Sequence, residues 1–335
     1  MTRFWLGGVQ SSGCIIGRLI AGACDQGWVV EASYAGSARV VEGFREEVMS
    51  LTREQFDQLV AKYEAKTASL EDLAALEPYR AKRAVLLASG FGSRMLPITI
   101  NTPKPLVNVN GRRIITTILD ALVAIGIQEI YIVTGYLKEQ FTLLKQEYPQ
   151  VRLIYNPVYD RTNNISSACL AKDHFSNAYV FESDLFLTNP SMIKPYRYDS
   201  CYMGVPVEFT PDWCFDVEGG IITDLHKGGR NMLSAGAAAT AAAAGDRVEV
   251  PADATTCYHM YGISYWNQAD GQKLAQDLPE AFNADEATQQ RFWDDVPCVI
   301  RCDNYRLHVE ACSFDDVAEI DSFAELQEID PRYRV

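Results

Sequence analysis

Polar and apolar positions fall into two regimes along the chain. From Ala84 onward, short apolar runs alternate with segments of helical spacing, the pattern of parallel strands joined by crossover helices. Ala84-Val-Leu-Leu-Ala88, Glu129-Ile-Tyr-Ile-Val-Thr134, Val151-Arg-Leu-Ile-Tyr155 and Ala178-Tyr-Val-Phe-Glu182 read as strands. Ile114, Ile115, Ile118, Leu119, Leu122 and Ile125 stripe one helix, which Gly126 stops. Further helices are expected over 137–148 and 165–172, the latter capped by Asn163 and Asn164. The later half is less regular. Trp213-Cys-Phe215 and Gly219–Asp224 predict a hairpin, His259–Trp266 and Arg306–Glu310 predict strands, and Phe323, Leu326 and Ile329 mark a closing helix. The fold class expected is α/β.

Residues 1–82 follow a different pattern and are expected to form a small, mainly helical domain ahead of a catalytic domain at 83–335. Ile15, Ile16, Leu19, Ile20 and Ala23 share one helix face, and Trp28–Tyr34 reads as a short strand. Thr52-Arg-Glu-Gln55 forms a capping box before Phe56, Leu59, Val60 and Tyr63, and Ser69 caps a short helix through Leu76. Helix, helix and short strand suggest a degenerate winged helix, but its charges are mixed. DNA binding is therefore not expected, and a packing or dimerisation role is the better reading. The Ala-rich run Ser234–Gly245 lacks a charge-opposed apolar face and reads as an excursion from the fold.

Composition narrows the function. A formal net charge of −14 over 335 residues argues against nucleic acid or an anionic membrane as partner. It also means that any phosphate site must concentrate its cations locally. The nine cysteines form no Cys-x-x-Cys pair, which fits reduced thiols and a cytoplasmic setting. Phe4–Cys14 superficially resembles a lipoprotein leader, but Gly7, Gly8, Gln10, Ser11 and Ser12 break its apolar segment. No run reaches membrane-spanning length. Oligomeric state stays open, with a homo-oligomer among the options.

The candidate chemistry centres on Leu87-Ala-Ser-Gly-Phe-Gly-Ser-Arg-Met-Leu-Pro-Ile-Thr99 and Pro103-Lys-Pro-Leu106. Gly90 and Gly92 let backbone N–H groups approach an anion, Arg94 supplies a fork-shaped cation and Lys104 a point charge. Those groups beyond a strand end make a polyphosphate site. Asp184 ends an apolar strand, where a carboxylate needs solvent, a cap role or a cation. Glu319 and Asp321 flank Ile320, so on a strand both point to one face. Asp184 with Glu319 or Asp321 would suit magnesium, which takes a few carboxylates and keeps phosphate oxygens and waters. The later aromatics are mostly core by pattern. Trp213, Tyr261, Trp266 and Trp293 are the candidates for an acceptor cage, since aromatic faces backed by carboxylates hold quaternary ammonium groups. No His or Cys has a partner suggesting nucleophilic catalysis.

The whole run, Leu-x-x-Gly-x-Gly-x-Arg-Met-x-Pro-x-Thr followed by Pro-Lys-Pro-Leu, resembles the signature of the nucleotidyltransferase family. With Asn163-Asn-Ile-Ser-Ser167, Glu182-Ser-Asp-Leu185, Asp212-Trp-Cys-Phe215, Gly262-Ile-Ser-Tyr-Trp266 and Glu319-Ile-Asp321, residues 76–330 resemble its LicC-type CTP:phosphocholine cytidylyltransferases. The resemblance implies a Rossmann-like nucleotidyltransferase domain with a mixed, mainly parallel sheet. It also implies CTP and phosphocholine as substrates, Mg²⁺ as cofactor, and CDP-choline and pyrophosphate as products. The triphosphate would lie on Gly90–Arg94, and the base near Leu87, Ala88, Gly135 and Tyr136, with Asn164 and Ser167 close by. Lys104 would hold the incoming phosphate, and Asp184, Glu319 and Asp321 the metal. Phosphoethanolamine, 2-aminoethylphosphonate or a sugar 1-phosphate are the alternative acceptors. A nucleotide-responsive DNA-binding regulator is the alternative from another class.

Overall fold

The glycine stretch leaves the middle of a large sheet in the computed structural model. The structure describes residues 50–231 and 256–334, together with the backbone of two short paired strands, Val30–Glu31 and Arg39–Val40. The expected helix at 15–23 and the Ala-rich run lie outside the described residues. Two compact units are distinguished, Met1–Thr52 and Arg53–Val335.

Nine strands of the larger unit, numbered here in chain order, form one mixed sheet. They are β1 (Arg83–Ala88), β2 (Glu129–Thr134), β3 (Val151–Tyr155), β4 (Ala178–Glu182), β5 (Cys201–Val207), β6 (Cys214–Glu218), β7 (Ile221–His226), β8 (Thr256–Trp266) and β9 (His308–Ala311). The order β4-β1-β2-β3 is parallel throughout, as the alternation of apolar runs and helical segments predicts. The other half is largely antiparallel: β8 pairs with β4, β5 and β6, and β6 forms the expected hairpin with β7.

Continuous apolar runs are required because the parallel strands are covered on both faces. Leu86, Ile130, Ile132 and Phe181 pack on one side with Ile115, Ile118 and Leu119 of a helix at Ile114–Ala124. Val85, Leu87, Val133 and Val180 pack on the other with helices Ile165–Leu170 and Gln268–Phe282. Register aligns the strand ends that matter. Leu87 lies opposite Glu182 and Ala88 opposite Thr134, so Ser89, Gly135 and Ser183-Asp184 emerge together.

A second, smaller pairing completes this edge. Leu185–Leu187 runs antiparallel to Val317–Glu319, with Glu319 opposite Leu185 and the Ile320 N–H donating to the Asp184 carbonyl. Two acidic segments more than a hundred residues apart thereby meet. Among the described residues, no helix is long and apolar enough to cross a membrane.

The helical segment before β1 differs from the expected boundary near residue 82. Helices Arg53–Glu64 and Leu70–Leu76 are part of the larger unit. Phe56 is buried against the stacked rings of Tyr79 and Tyr198, with centroids at 5.2 and 5.3 Å, and Glu64 pairs with Lys194. An amphipathic stripe reveals that a helix has a buried face but not which surface covers it. Ser69 does cap the second helix, in a reciprocal box with Asp72.

Phe56→Ala should therefore destabilise the whole sheet unit, by about 3 kcal/mol for a buried aromatic truncated to a methyl. A chemical-denaturation midpoint unchanged by this substitution would show that residues 53–82 fold apart from the sheet.

Candidate active site

Lys104 is the meeting point of the strand ends. It opens a short 3₁₀ turn, Lys104–Leu106, between two prolines, and the burial of Pro105 and Leu106 anchors its backbone. Its Nζ lies 2.8 Å from Asp184 Oδ2 and 2.7 Å from Asp321 Oδ1. Arg94 Nη1 reaches the other Asp321 oxygen at 2.8 Å. Burial alone would favour the neutral amine, but the two carboxylates hold Lys104 above its ordinary value, so it stays charged. Arg94, by contrast, is largely exposed beyond its pair with Asp321.

The loop carrying Arg94 is braced from several sides. Gly92 has φ +64°, and a Cβ there would come within 2.9 Å of Lys104 Cβ, so the loop and the lysine can pack only around a glycine. Thr99 Oγ1 donates to the Gly92 carbonyl at 2.9 Å, and the Tyr136 hydroxyl donates to the carbonyls of Thr99 and Ile100.

Two cavities meet at this cluster. The first, about 490 Å³, is lined by Leu87, Ala88, Gly90, Gly92, Tyr159 and Asn164 among others. The second, about 670 Å³, is lined by Trp213, Tyr261, Asp212, Lys227, His259 and Glu319 among others. Arg94, Glu182, Asp184, Phe292 and Asp321 border both. A molecule filling the first cavity and one filling the second would touch across Arg94, Asp184 and Asp321.

The expected nucleotide residues divide into lining and supporting ones. Leu87, Ala88, Gly90, Gly92 and Asn164 line the first cavity. Gly135 lies under the Tyr159 ring, Tyr136 braces the glycine loop, and Ser167 bonds the Ser89 hydroxyl at 2.8 Å from a fully buried position. These three shape the cavity from behind. Asn164 stands at a helix start but does not cap it with its side chain. Instead it donates to Glu182 Oε1 and accepts from the Trp293 backbone, both at 2.8 Å, tying the parallel strands to the loop at 290–295.

The aromatic candidates separate as well. Trp213 and Tyr261 line the second cavity. Trp266 is fully buried with its Nε1 donating to Ser264, and Trp293 packs edge-on against Phe175 and Trp266. Both are core residues rather than cavity walls. Alternation along a strand cannot tell a buried aromatic from one facing a cleft. Phe292, next to Trp293, provides the missing wall, 4.7 Å from the Trp213 ring.

Three acids at the cavity junction have raised pKa values. Burial, followed by repulsion from Asp184 and Asp294, lifts Glu182 well above the carboxylate range. Loss of solvation and then the charges of Asp184 and Asp321 push Glu319 up to about 8, although its side chain still opens onto the second cavity. Burial pushes Asp294 up to about 7 against the Tyr202 hydroxyl, which donates to it at 2.9 Å.

The donor set fits a hard cation. Asp184 Oδ1 is buried without a hydrogen-bond partner, while Asp321 stands beside it and Glu319 nearby. Among the described residues no group of three or more His, Cys, Asp or Glu is placed to hold a metal ion. An incomplete oxygen set suits magnesium, which takes phosphate oxygens and water as its other ligands.

Sequence reasoning assigned no role to Glu182, Tyr159, Phe292 or Lys227. Glu182 could have been suspected as a second carboxylate closing an apolar strand. The others come from loops that carry no motif.

Known proteins resemble this chain over much of its length. Residues 83–196 match the model of the Nucleotidyl transferase family. The chain is 35% identical over 256 residues to the 2-aminoethylphosphonate cytidylyltransferase of Lancefieldella rimae, an alignment covering 75% of this chain and 92% of that one. It is 29% identical over 249 residues to the choline-phosphate cytidylyltransferase of Streptococcus pneumoniae, covering 74% and 97%. The solved structure of the CTP:phosphocholine cytidylyltransferase LicC from Streptococcus pneumoniae superposes with a TM-score of 0.62 at 29% identity, over 76% of this chain and 100% of that one.

The raised Asp294 carboxyl makes a prediction about stability. Between its ordinary value of 3.8 and about 7, the folded state holds a proton that the unfolded state has released. Stability from this group is therefore greatest below about pH 4 and falls as pH rises through about 7, by on the order of 4 kcal/mol. Asp294→Asn keeps an acceptor for Tyr202 and removes the titration. Its melting temperature relative to wild type should climb between about pH 5 and about pH 8; a pH-independent difference would place the raised pKa elsewhere.

Proposed function

The chain belongs to the nucleotidyl transferase family and is a cytidylyltransferase of phosphorylated small molecules, and we propose that it joins CTP to a short phosphonate or phosphate ester bearing an ammonium group. The observation that carries this reading is the meeting of two cavities at Arg94, Asp184 and Asp321, with Lys104 between the carboxylates. The first cavity takes CTP and the second the acceptor.

In this reading an acceptor phosphoryl oxygen attacks the α-phosphorus of CTP in line. A P–O bond forms to the acceptor, the bond between the α- and β-phosphates breaks, and pyrophosphate leaves with its electron pair. Two anions must approach, so the chain's work is neutralisation and alignment. The Gly90–Arg94 loop receives the triphosphate, with Arg94 on its outer phosphates. Lys104 stays protonated and moves no proton; its charge offsets that of the incoming phosphoryl group. Asp184 and Asp321, with Glu319 alongside, would hold magnesium, which when bound offsets negative charge on the phosphate oxygens.

A primary ammonium is the head group that suits the second cavity best, as in 2-aminoethylphosphonate or phosphoethanolamine. Asp212, Asp294, Glu319 and Glu325 offer many oxygen acceptors, and only part of the expected aromatic cage borders the cavity. Phosphocholine remains the second reading, supported by the Trp213 and Phe292 rings.

Pyrophosphate release should appear with CTP and 2-aminoethylphosphonate, phosphoethanolamine or phosphocholine, and be much weaker with sugar 1-phosphates or other nucleoside triphosphates. Lys104→Ala should lower it by about a thousand-fold. Asp184→Asn should do likewise at every magnesium concentration. Near-normal turnover by either variant, with folding verified by circular dichroism, would remove the catalytic assignment.

A further inference from the structure

The second cavity already contains a cation from the chain itself. Lys227 follows β7, and its Nζ lies 4.8 Å from the centre of the Trp213 ring and 5.6 Å from that of Phe292. It is ion-paired with Asp295 Oδ1. Asp295 has no exposed surface, and neither of its oxygens accepts a hydrogen bond of ordinary geometry. Among the described residues Lys227 is its only ion-pair partner. The two ends of the pair differ: the Lys227 side chain is 39% exposed and the Asp295 side chain 1%. Lys227 is thus the solvent-exposed end of the pair and Asp295 the buried end.

We propose that Asp295, Trp213 and Phe292 form the subsite for the acceptor's ammonium group, and that Lys227 is a tethered stand-in that exchanges with it. The proposal rests on reading the second cavity as the acceptor site. A buried carboxylate stripped of its cation is strongly destabilised, so Lys227 leaves only when another cation takes its place. A primary ammonium is the head group of lysine itself. It offers three N–H donors to Asp295 and the same charge to the two rings. A trimethylammonium presents methyl groups there, meets the rings and leaves Asp295 without a donor. A neutral acceptor cannot replace Lys227 at all. The subsite thus reads an ammonium bearing N–H groups, and Asp295 is the residue that reads it.

Lys227→Met opens the subsite and leaves Asp295 unpaired. The variant should melt below wild type, and ethylammonium chloride should recover a few degrees more than sodium or tetramethylammonium chloride at equal ionic strength. Wild type should show no such difference. In turnover, the KM for 2-aminoethylphosphonate should fall about ten-fold, because the internal competitor is gone. The KM for CTP and for ethylphosphonate, which lacks the amine, should not change. A melting temperature indifferent to ethylammonium, or equal changes for the two acceptors, would overturn the exchange. If Lys227→Met does not fold, Lys227→Met/Asp295→Asn leaves no carboxylate unpaired. It should lose the preference for 2-aminoethylphosphonate over its trimethylated analogue, and a retained preference would overturn the role of Asp295. An absence of pyrophosphate with every acceptor in wild type would instead count against the cytidylyltransferase reading of the site, and the ethylammonium melts would still decide the exchange.

Discussion

The active edge of this protein depends on a single shared cation, the Lys104 ammonium held between Asp184 and Asp321. Three segments far apart in the chain supply these groups: the turn after the glycine loop, the end of β4 and the strand before the closing helix. Without the lysine, two carboxylates would face one another in partly buried surroundings. Without the carboxylates, burial would push the lysine toward its neutral form. Each charge is stable because of the others, and together they keep a cation where two anionic reactants have to meet.

The sheet serves this cluster by aligning strand ends. Parallel register places the ends of β1, β2 and β4 side by side, and the short pairing of Leu185–Leu187 with Val317–Glu319 adds the second acidic segment. The antiparallel half then carries the hairpin and the long strand β8 along one side of the second cavity. Gly262 of β8 permits this approach, since a Cβ there would lie 2.4 Å from Glu182 Cγ. The two halves of the sheet thus divide the labour: the parallel strands present the glycine loop, and the antiparallel strands carry Trp213, His259 and Tyr261 into the second cavity.

Charge in the second cavity is arranged economically. The junction sets Glu182 and Glu319, whose carboxyls burial and neighbouring charges raise above the ordinary value, beside the Lys104-paired Asp184 and Asp321. Lys227 extends the same logic to the far wall, where it neutralises Asp295.

The parallel strands, the helix at Ile114–Ala124, the hairpin and the glycine loop after β1 were all legible in the sequence, because apolar period and glycine placement act locally. The Arg94, Lys104, Asp184 and Asp321 set was legible from short local signals: cations beside the glycines and between two prolines, a carboxylate after an apolar strand, and an acid two residues from Glu319. Whether Trp266 and Trp293 face a cavity or a core was not legible, since that depends on what packs against the strand from elsewhere. The same holds for Phe56, whose helix has an obvious apolar face but whose covering surface, Tyr79 and Tyr198, only the folded chain provides. Lys227 and Trp213 reach the Phe292–Asp295 loop solely through tertiary packing. Local pattern determines which elements form and which end of each carries charge; long-range packing decides which side chains share a cavity, because contact between distant segments has no period that a sequence can display.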